Sequence, residues 1–303
     1  MKKYIIFAAA ALALAACNNE VEENLDDTQV AAQISAGVST RAYNDKWEAD
    51  IIGVMVTGGN NTMASLYKNV PYETSADGTK EADFKPITEP IYFRGIEVAY
   101  FAAYGPYNPS NFMNEGPDDV SYDTDNQGGR EDQRLIDYIY ASGATGSLDN
   151  PKVDFTFKHV MARLVIKVQA SDESNIDFQD ILDGEYYLDG LIHSGTFHVT
   201  TGEATADNSA QATSDWDLKS CSVEVKGTKD ITFTAILFPQ VAQDLKFKAN
   251  IDGKDYSTTF TPTLEAGHSY AITITVKKAE LKMTGSTIDK WTDGSTSEYD
   301  AMM

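Results

Sequence analysis

At 303 residues the chain is long enough for two domains of ordinary size or one large β domain, and its 42% hydrophobic content excludes wholesale disorder. Twenty-four basic against 46 acidic side chains leave a formal charge of -22, a surface that repels phosphate backbones and argues against nucleic acid as a partner. Sixteen tyrosines with frequent Val and Thr lean toward β structure.

Lys2 and Lys3 precede an apolar run over residues 4–16 that is too short to span a bilayer as a mature helix. The run ends Leu14-Ala15-Ala16-Cys17, which resembles the lipobox of bacterial lipoprotein signal peptides. That resemblance implies cleavage before Cys17 and its acylation, palmitate included; an ordinary signal peptide with an incidental cysteine is the alternative. Residues 1–17 are therefore set apart from the fold, and no later run is apolar enough to cross a membrane as a helix. The one other cysteine, Cys221, reads as a small residue in a strand.

Glu20, Glu22, Glu23, Asp26 and Asp27 make residues 18–28 a solvated tether. Period-two alternation follows over 30–38. Val30, Ala32, Ile34, Ala36 and Val38 face one side, while Gln33, Ser35, Gly37 and Ser39 face the other, the pattern of a half-buried strand. The stretch ends in Thr40-Arg41-Ala42, cleavable by a trypsin-like protease after Arg41. Trp47 and the run 51–56 predict a second, well-buried strand, closed by Gly58-Gly59-Asn60-Asn61. Shorter strands are predicted near 66–72, 84–87 and 91–93, and a strong one over 97–104.

Residues 105–133, rich in Pro, Asn, Asp and Gly, read as a surface excursion. Strand character returns over 135–141. It is most regular over 153–168, where the alternation shifts phase at 161–163, marking a bulge or bend and a domain boundary. Strands then recur near 186–188, 195–199, 223–225, 231–237, 245–251 and 256–260, with a tight turn at Asp252-Gly253-Lys254. Residues 269–276 alternate most cleanly, and Leu281, Met283, Ile288 and Trp291 mark weaker strand material. Strands at this spacing without a long amphipathic helix predict β-sandwiches.

Chemistry-bearing motifs are weak. His159, His193, His198 and His268 lack the paired spacing of a zinc site, and His159 alternates with Phe155 and Phe157 as a core residue does. Asp123-Thr124-Asp125-Asn126-Gln127-Gly128 resembles the opening of a calcium loop, yet Arg134 stands where the closing carboxylate belongs. No phosphate loop or nucleophile elbow is present. The expectation is no catalysis, no metal and no cofactor. Tyr100, Phe101, Tyr104 and Tyr107 motivate one alternative of another class, an aromatic platform for glycans.

Six segments in order carry a wider resemblance: Leu14-Ala15-Ala16-Cys17; Ser39-Thr40-Arg41-Ala42 followed by Trp47 and Ile52-Gly53-Val54; residues 155–164; Ile236-Leu237-Phe238-Pro239; residues 264–270; and Ile288-Asp289-Lys290-Trp291. Together the chain resembles the fimbrillin family of surface lipoproteins, the subunits of type V pili. The resemblance implies an all-β fold of two transthyretin-like β-sandwich domains in tandem, here 42–157 and 158–303. It implies export as an outer-membrane lipoprotein anchored through Cys17, and cleavage by a trypsin-like protease that leaves Ala42 first. It also implies cell-surface polymerisation with other fimbrial subunits, supporting adhesion, in which a strand from another chain replaces residues 30–38. The candidate donor tail has only Tyr299, Ala301 and Met303 in alternation, and residues 281–291 are the other candidate. The alternative is a non-polymerising surface lipoprotein that binds glycans or host ligands.

Physics bears on the first strand separately. Burying Val30, Ile34 and Val38 at ~2 kcal/mol each, with the smaller alanines, gives roughly 6–8 kcal/mol as an upper bound. Net domain stability is only about 5–15 kcal/mol, so loss of this strand exposes an apolar groove and unpaired backbone.

Overall fold

The computed structural model describes residues 29–38, 46–110, 119–172, 174–226, 230–241, 244–277 and 281–290. The first ten strands are β1 (Gln33–Val38), β2 (Trp47–Glu48), β3 (Ile51–Gly58), β4 (Val70–Glu73), β5 (Asp77–Thr79), β6 (Glu81–Pro86), β7 (Ala99–Gly105), β8 (Asp119–Asp123), β9 (Ile139–Gly146) and β10 (Lys152–His159). Two short helices, α1 (Asn61–Leu66) and α2 (Arg130–Ile136), interrupt them. Seven strands close a barrel in the order β1-β10-β9-β7-β3-β4-β6. The ring is thin at two corners, where β10 meets β9 only at Lys158↔Tyr140 and His159↔Ile139 and β6 meets β4 only at Tyr72↔Pro86 and Glu73↔Lys85, so it lies between a closed barrel and the two-sheet sandwich that the sequence reading expects. Both architectures use the same period-two alternation, so periodicity alone does not separate them.

The chain leaves the barrel at His159 and enters the second unit with β11 (Ala162–Ala170). There follow α3 (Phe178–Asp183), β12 (Glu185–Asp189), β13 (Ser194–His198), β14 (Glu203–Ala206), β15 (Trp216–Asp217), β16 (Ser222–Lys226), β17 (Asp230–Leu237), β18 (Leu245–Ile251), β19 (Lys254–Phe260), β20 (His268–Val276) and β21 (Leu281–Lys290). A five-stranded sheet, β16-β17-β11-β20-β21, and a four-stranded one, β15-β12-β18-β19, share one apolar core. Leu164, Ile166 and Val168 of β11 meet Tyr186 and Leu188 of β12 and Phe247 of β18 in that core, the layered arrangement of a sandwich.

A third core joins the two units. β8, from the first half of the chain, pairs antiparallel with β13, from Ser194↔Asp123 to His198↔Asp119. Met55, Ala102 and Tyr104 from the barrel wall pack there with Phe197, Ile236 and Phe238. Tyr138 stacks on Phe197 at 4.6 Å and 16°. This explains the near-continuous apolar runs of β3 and β7, which are covered on both faces.

Residues 105–133 are therefore not only a surface excursion. Within them Val120 is buried, as are Thr124, Gln127 and Gln133, whose side chains hydrogen-bond within the fold, although Gln133 Oε1 stays without a partner among the described residues. Gln127 grips one backbone unit twice: its Nε2 donates to the Ile236 carbonyl at 2.9 Å and its Oε1 accepts from the Ile236 N–H at 2.7 Å. Gln133 Nε2 donates to Gln127 Oε1 at 3.0 Å. Hydropathy misreads such residues because a glutamine with satisfied amide groups is tolerated in a core. Gln127→Ala should leave the Ile236 donor and acceptor unpaired and cost about 2–3 kcal/mol, measured as a lowered midpoint in urea unfolding.

Candidate functional site

β1 is the strand that closes the barrel. It runs parallel to β10, with Gln33↔Lys152, Ile34↔Val153, Ala36↔Phe155 and Val38↔Phe157 in register. On its other side it runs antiparallel to β6, with Ile34↔Phe84, Ser35↔Asp83, Ala36↔Ala82 and Gly37↔Glu81. Backbone bonds extend the pairing beyond the strand. Ala32 N–H donates to the Ile91 carbonyl at 2.8 Å, Gln33 N–H to Pro151 at 2.8 Å, and Phe93 N–H to Val30 at 2.9 Å.

The alternation read from the sequence is the one the barrel uses. Ala32, Ile34, Ala36 and Val38 are buried at 6%, 3%, 3% and 5% exposure, while Val30 is only half-buried and contributes less. All four belong to the barrel core with Phe84, Phe93, Phe101, Phe155 and Phe157. Taking β1 away leaves β10-β9-β7-β3-β4-β6, an open sheet whose edge strands β10 and β6 both lose a partner. Such edges are templates for another strand. β1 is the first strand among the described residues, and the chain passes from it to β2 through the segment that carries Arg41, so one cut there separates it covalently from everything that follows.

Trp47 is the residue whose role periodicity did not reveal. It is fully buried, and its indole Nε1 donates to the Ala36 carbonyl at 3.0 Å. Its ring meets Phe84 of β6 edge-on at 4.8 Å and Phe157 of β10 at 5.7 Å. One side chain from beyond Arg41 therefore touches β1 and both of its flanking strands. Its position soon after Arg41 was the only available signal.

Tyr72 supports the other end. Its hydroxyl accepts from Ile91 N–H at 2.9 Å, and the Ile91 carbonyl in turn accepts from Ala32. Burial pushes the Tyr72 phenol up to about 12. Because the folded state holds this proton more tightly than the unfolded chain does, the stability it confers is present below pH ~10 and is lost as pH rises toward 12. A loss of up to about 2–3 kcal/mol is expected across that window. Tyr72→Phe should lose less over that window by this amount, the remaining loss coming from other buried tyrosines such as Tyr138 and Tyr186, with unfolding followed by tryptophan fluorescence.

The outward side of β1 is polar. Ser35 Oγ donates to the Asp154 carboxylate, which also pairs with Lys152 Nζ at 2.9 Å. These two partners, Ser35 foremost, hold the Asp154 carboxyl below the ordinary carboxylate range.

The other sequence candidates do not assemble into a second site. Cys17, Arg41 and Ala42 lie outside the described residues, as do Trp291, Tyr299, Ala301 and Met303. Phe101 and Tyr104 are fully buried and Tyr107 is half-buried, leaving only Tyr100 of the expected aromatic platform exposed. His159 Nδ1 pairs with Asp137 at 2.7 Å inside the fold, and His193 lies against Trp216 at 4.5 Å with Nδ1 3.0 Å from Thr124 Oγ1. Burial pushes the Cys221 thiol up to about 12, removing it as a nucleophile at neutral pH. Arg134 pairs with Asp50 and Glu131, away from the Asp123–Gly128 loop. Among the described residues no group of three or more His, Cys, Asp or Glu is placed to hold a metal.

Comparison with known proteins bears on the fold and the family. A family model described as "Fimbrillin-like" matches residues 40–291. The "Putative fimbrium subunit Fim1C" of Bacteroides uniformis is 26% identical over 315 residues, covering 97% of each chain. The crystal structure of a "putative cell adhesion protein" from Bacteroides ovatus superposes with a TM-score of 0.71 at 22% identity, over 88% of this chain and 100% of that one. Another of the same description from Bacteroides uniformis gives 0.68 at 21% identity, over 88% and 99%. At these identities the two structures speak for the fold alone. The family match, which spans most of the chain, settles membership: this protein belongs to the fimbrillin-like family.

Proposed function

We propose that this chain is a structural subunit of a cell-surface fimbria, made as a lipoprotein on Cys17 and matured by cleavage after Arg41. Cleavage frees β1, and a strand from another subunit takes its place between β6 and β10. The subunit performs no catalysis and serves adhesion through the assembled fibre. Its partners are other fimbrial subunits, a trypsin-like protease, and the outer membrane before cleavage. On this reading residues 42–157 and 158–303 are the two tandem β units of the mature subunit, related to transthyretin-like sandwiches.

The observation that carries the proposal is the position of β1. It is the first strand among the described residues, it closes the barrel, and its neighbours offer a replacement a ladder of six residues on β10 and of four on β6. The family match covers residues 40–291 and so does not extend over β1.

Arg41→Ala tests the maturation step in cells. The variant is expected to accumulate as an uncut, lipid-anchored monomer with no polymer ladder on unboiled gels. A variant that ladders like the native protein contradicts it.

A further inference from the structure

We infer that Trp47 together with the Asp83/Asp154 pair determines which strand the β1 slot accepts: one with a small residue at the level of Ala36 and no acidic residue just before it. The inference rests on the proposed strand exchange and adds selectivity to it.

Two features of the slot act on adjacent positions. The first is a steric and hydrogen-bonding pin. Trp47 Nε1 reaches the backbone carbonyl of Ala36, and Phe84 and Phe157 crowd the indole from either side. Ala36 is itself paired with Phe155 on one side and Ala82 on the other. A long side chain there overfills a close-packed core, so the pin selects Ala or Gly and thereby sets the register of the incoming strand.

The second feature is a charge gate one residue earlier. Ser35 lies directly between Asp83 of β6 and Asp154 of β10 in the two ladders. The shallow trough along the outer side of β1, between β6 and β10, is lined by Glu81, Asp83 and Asp154, with Lys152 as the single cation. A hydroxyl donates to Asp154 there, as Ser35 does. A carboxylate instead faces a like charge on both sides, which is unfavourable across a ladder.

The two features bear on the candidate tail. In the segment Ser297-Glu298-Tyr299-Asp300-Ala301-Met302-Met303, Ala301 is the small residue in phase. Seating Ala301 at the pin places Asp300 between Asp83 and Asp154. The gate therefore disfavours this chain's own segment and directs the slot to a strand of another subunit with a neutral or basic residue at that point.

The test uses the full chain nicked after Arg41 by limited trypsin, with β1 still seated, challenged by labelled synthetic strands of residues 29–39. The native peptide is expected to exchange into the slot. Ser35→Asp in the peptide should compete roughly five- to ten-fold more weakly at low salt. The gap should narrow in 0.5 M NaCl and close on an Asp83→Asn/Asp154→Asn slot. Ala36→Leu should fail at every salt concentration. A peptide of residues 295–303 should bind poorly and improve when Asp300→Asn is introduced. As a check independent of exchange, Ser35→Asp in the intact chain should lower the unfolding midpoint, and Asp154→Asn should restore it. Equal competition by native and Ser35→Asp peptides overturns the gate alone. A native peptide that never enters overturns strand exchange itself and the selectivity with it.

Discussion

Ile34→Asp in the intact chain should unfold the barrel at neutral pH or leave it several kcal/mol less stable. Ile34 is 3% exposed, lies between Phe84 of β6 and Val153 of β10, and belongs to the hydrophobic core of the barrel. A carboxylate there is desolvated without a partner, and such a group must remain neutral or eject its strand. Ejection is the cheaper response because it displaces one strand and leaves the other six paired with one another. The variant should therefore show an apolar-dye-binding, aggregation-prone barrel while the second unit, with its own core, retains structure. The control is Ser35→Asn, on the opposite side of the same strand, which should change stability by less than about 1 kcal/mol. If Ile34→Asp were as stable as that control, β1 would not be part of the barrel core.

Trp47→Ala should be the most damaging single change outside β1. Deleting a fully buried tryptophan costs about 3–5 kcal/mol through lost transfer energy and the cavity left behind, and this one also withdraws a hydrogen bond from the Ala36 carbonyl. Trp47→Phe separates the two contributions, because it keeps most of the ring volume and loses the indole N–H. Its expected cost is about 1–2 kcal/mol. The exchange rate of β1 in the nicked chain should rise in both variants and more in Trp47→Ala. Equal stability of Trp47→Phe and the native chain would mean that the Ala36 bond contributes nothing.

How much of this was legible in the sequence depends on whether a feature is local. The side-chain alternation of β1 was legible, since burial on one face imposes a period of two on residues 32, 34, 36 and 38 whichever strands flank it. Its neighbours were not. Phe84 and Phe155 are far along the chain, and nothing in either segment names β1 as its partner. Closure into a barrel was illegible for a related reason, because it is a property of seven registers taken together. Trp47 was visible as a strand residue, but its use as a donor depends on where the Ala36 carbonyl comes to lie.

One misreading and one choice left open in the sequence share a cause. Residues 105–133 look solvated by composition, yet Gln127 and Gln133 are internal because their amides replace backbone partners. The aromatics of 100–107 look available because half of any strand normally faces solvent. Here the opposite face of β7 is covered by the core shared between the two units, which takes Tyr104 inside. In both cases a second layer of packing overrode a pattern that was correct for a single sheet.

The central claim is that β1 is temporary and its slot belongs to another chain. The most direct test is the N-terminal sequence and intact mass of subunits released by boiling from heat-labile polymer purified off the cell surface. The account predicts subunits that begin at Ala42 and lack residues 30–38, in ladders that collapse to monomer on heating. Polymer built from chains that still begin at a lipidated Cys17, with β1 attached, would contradict it.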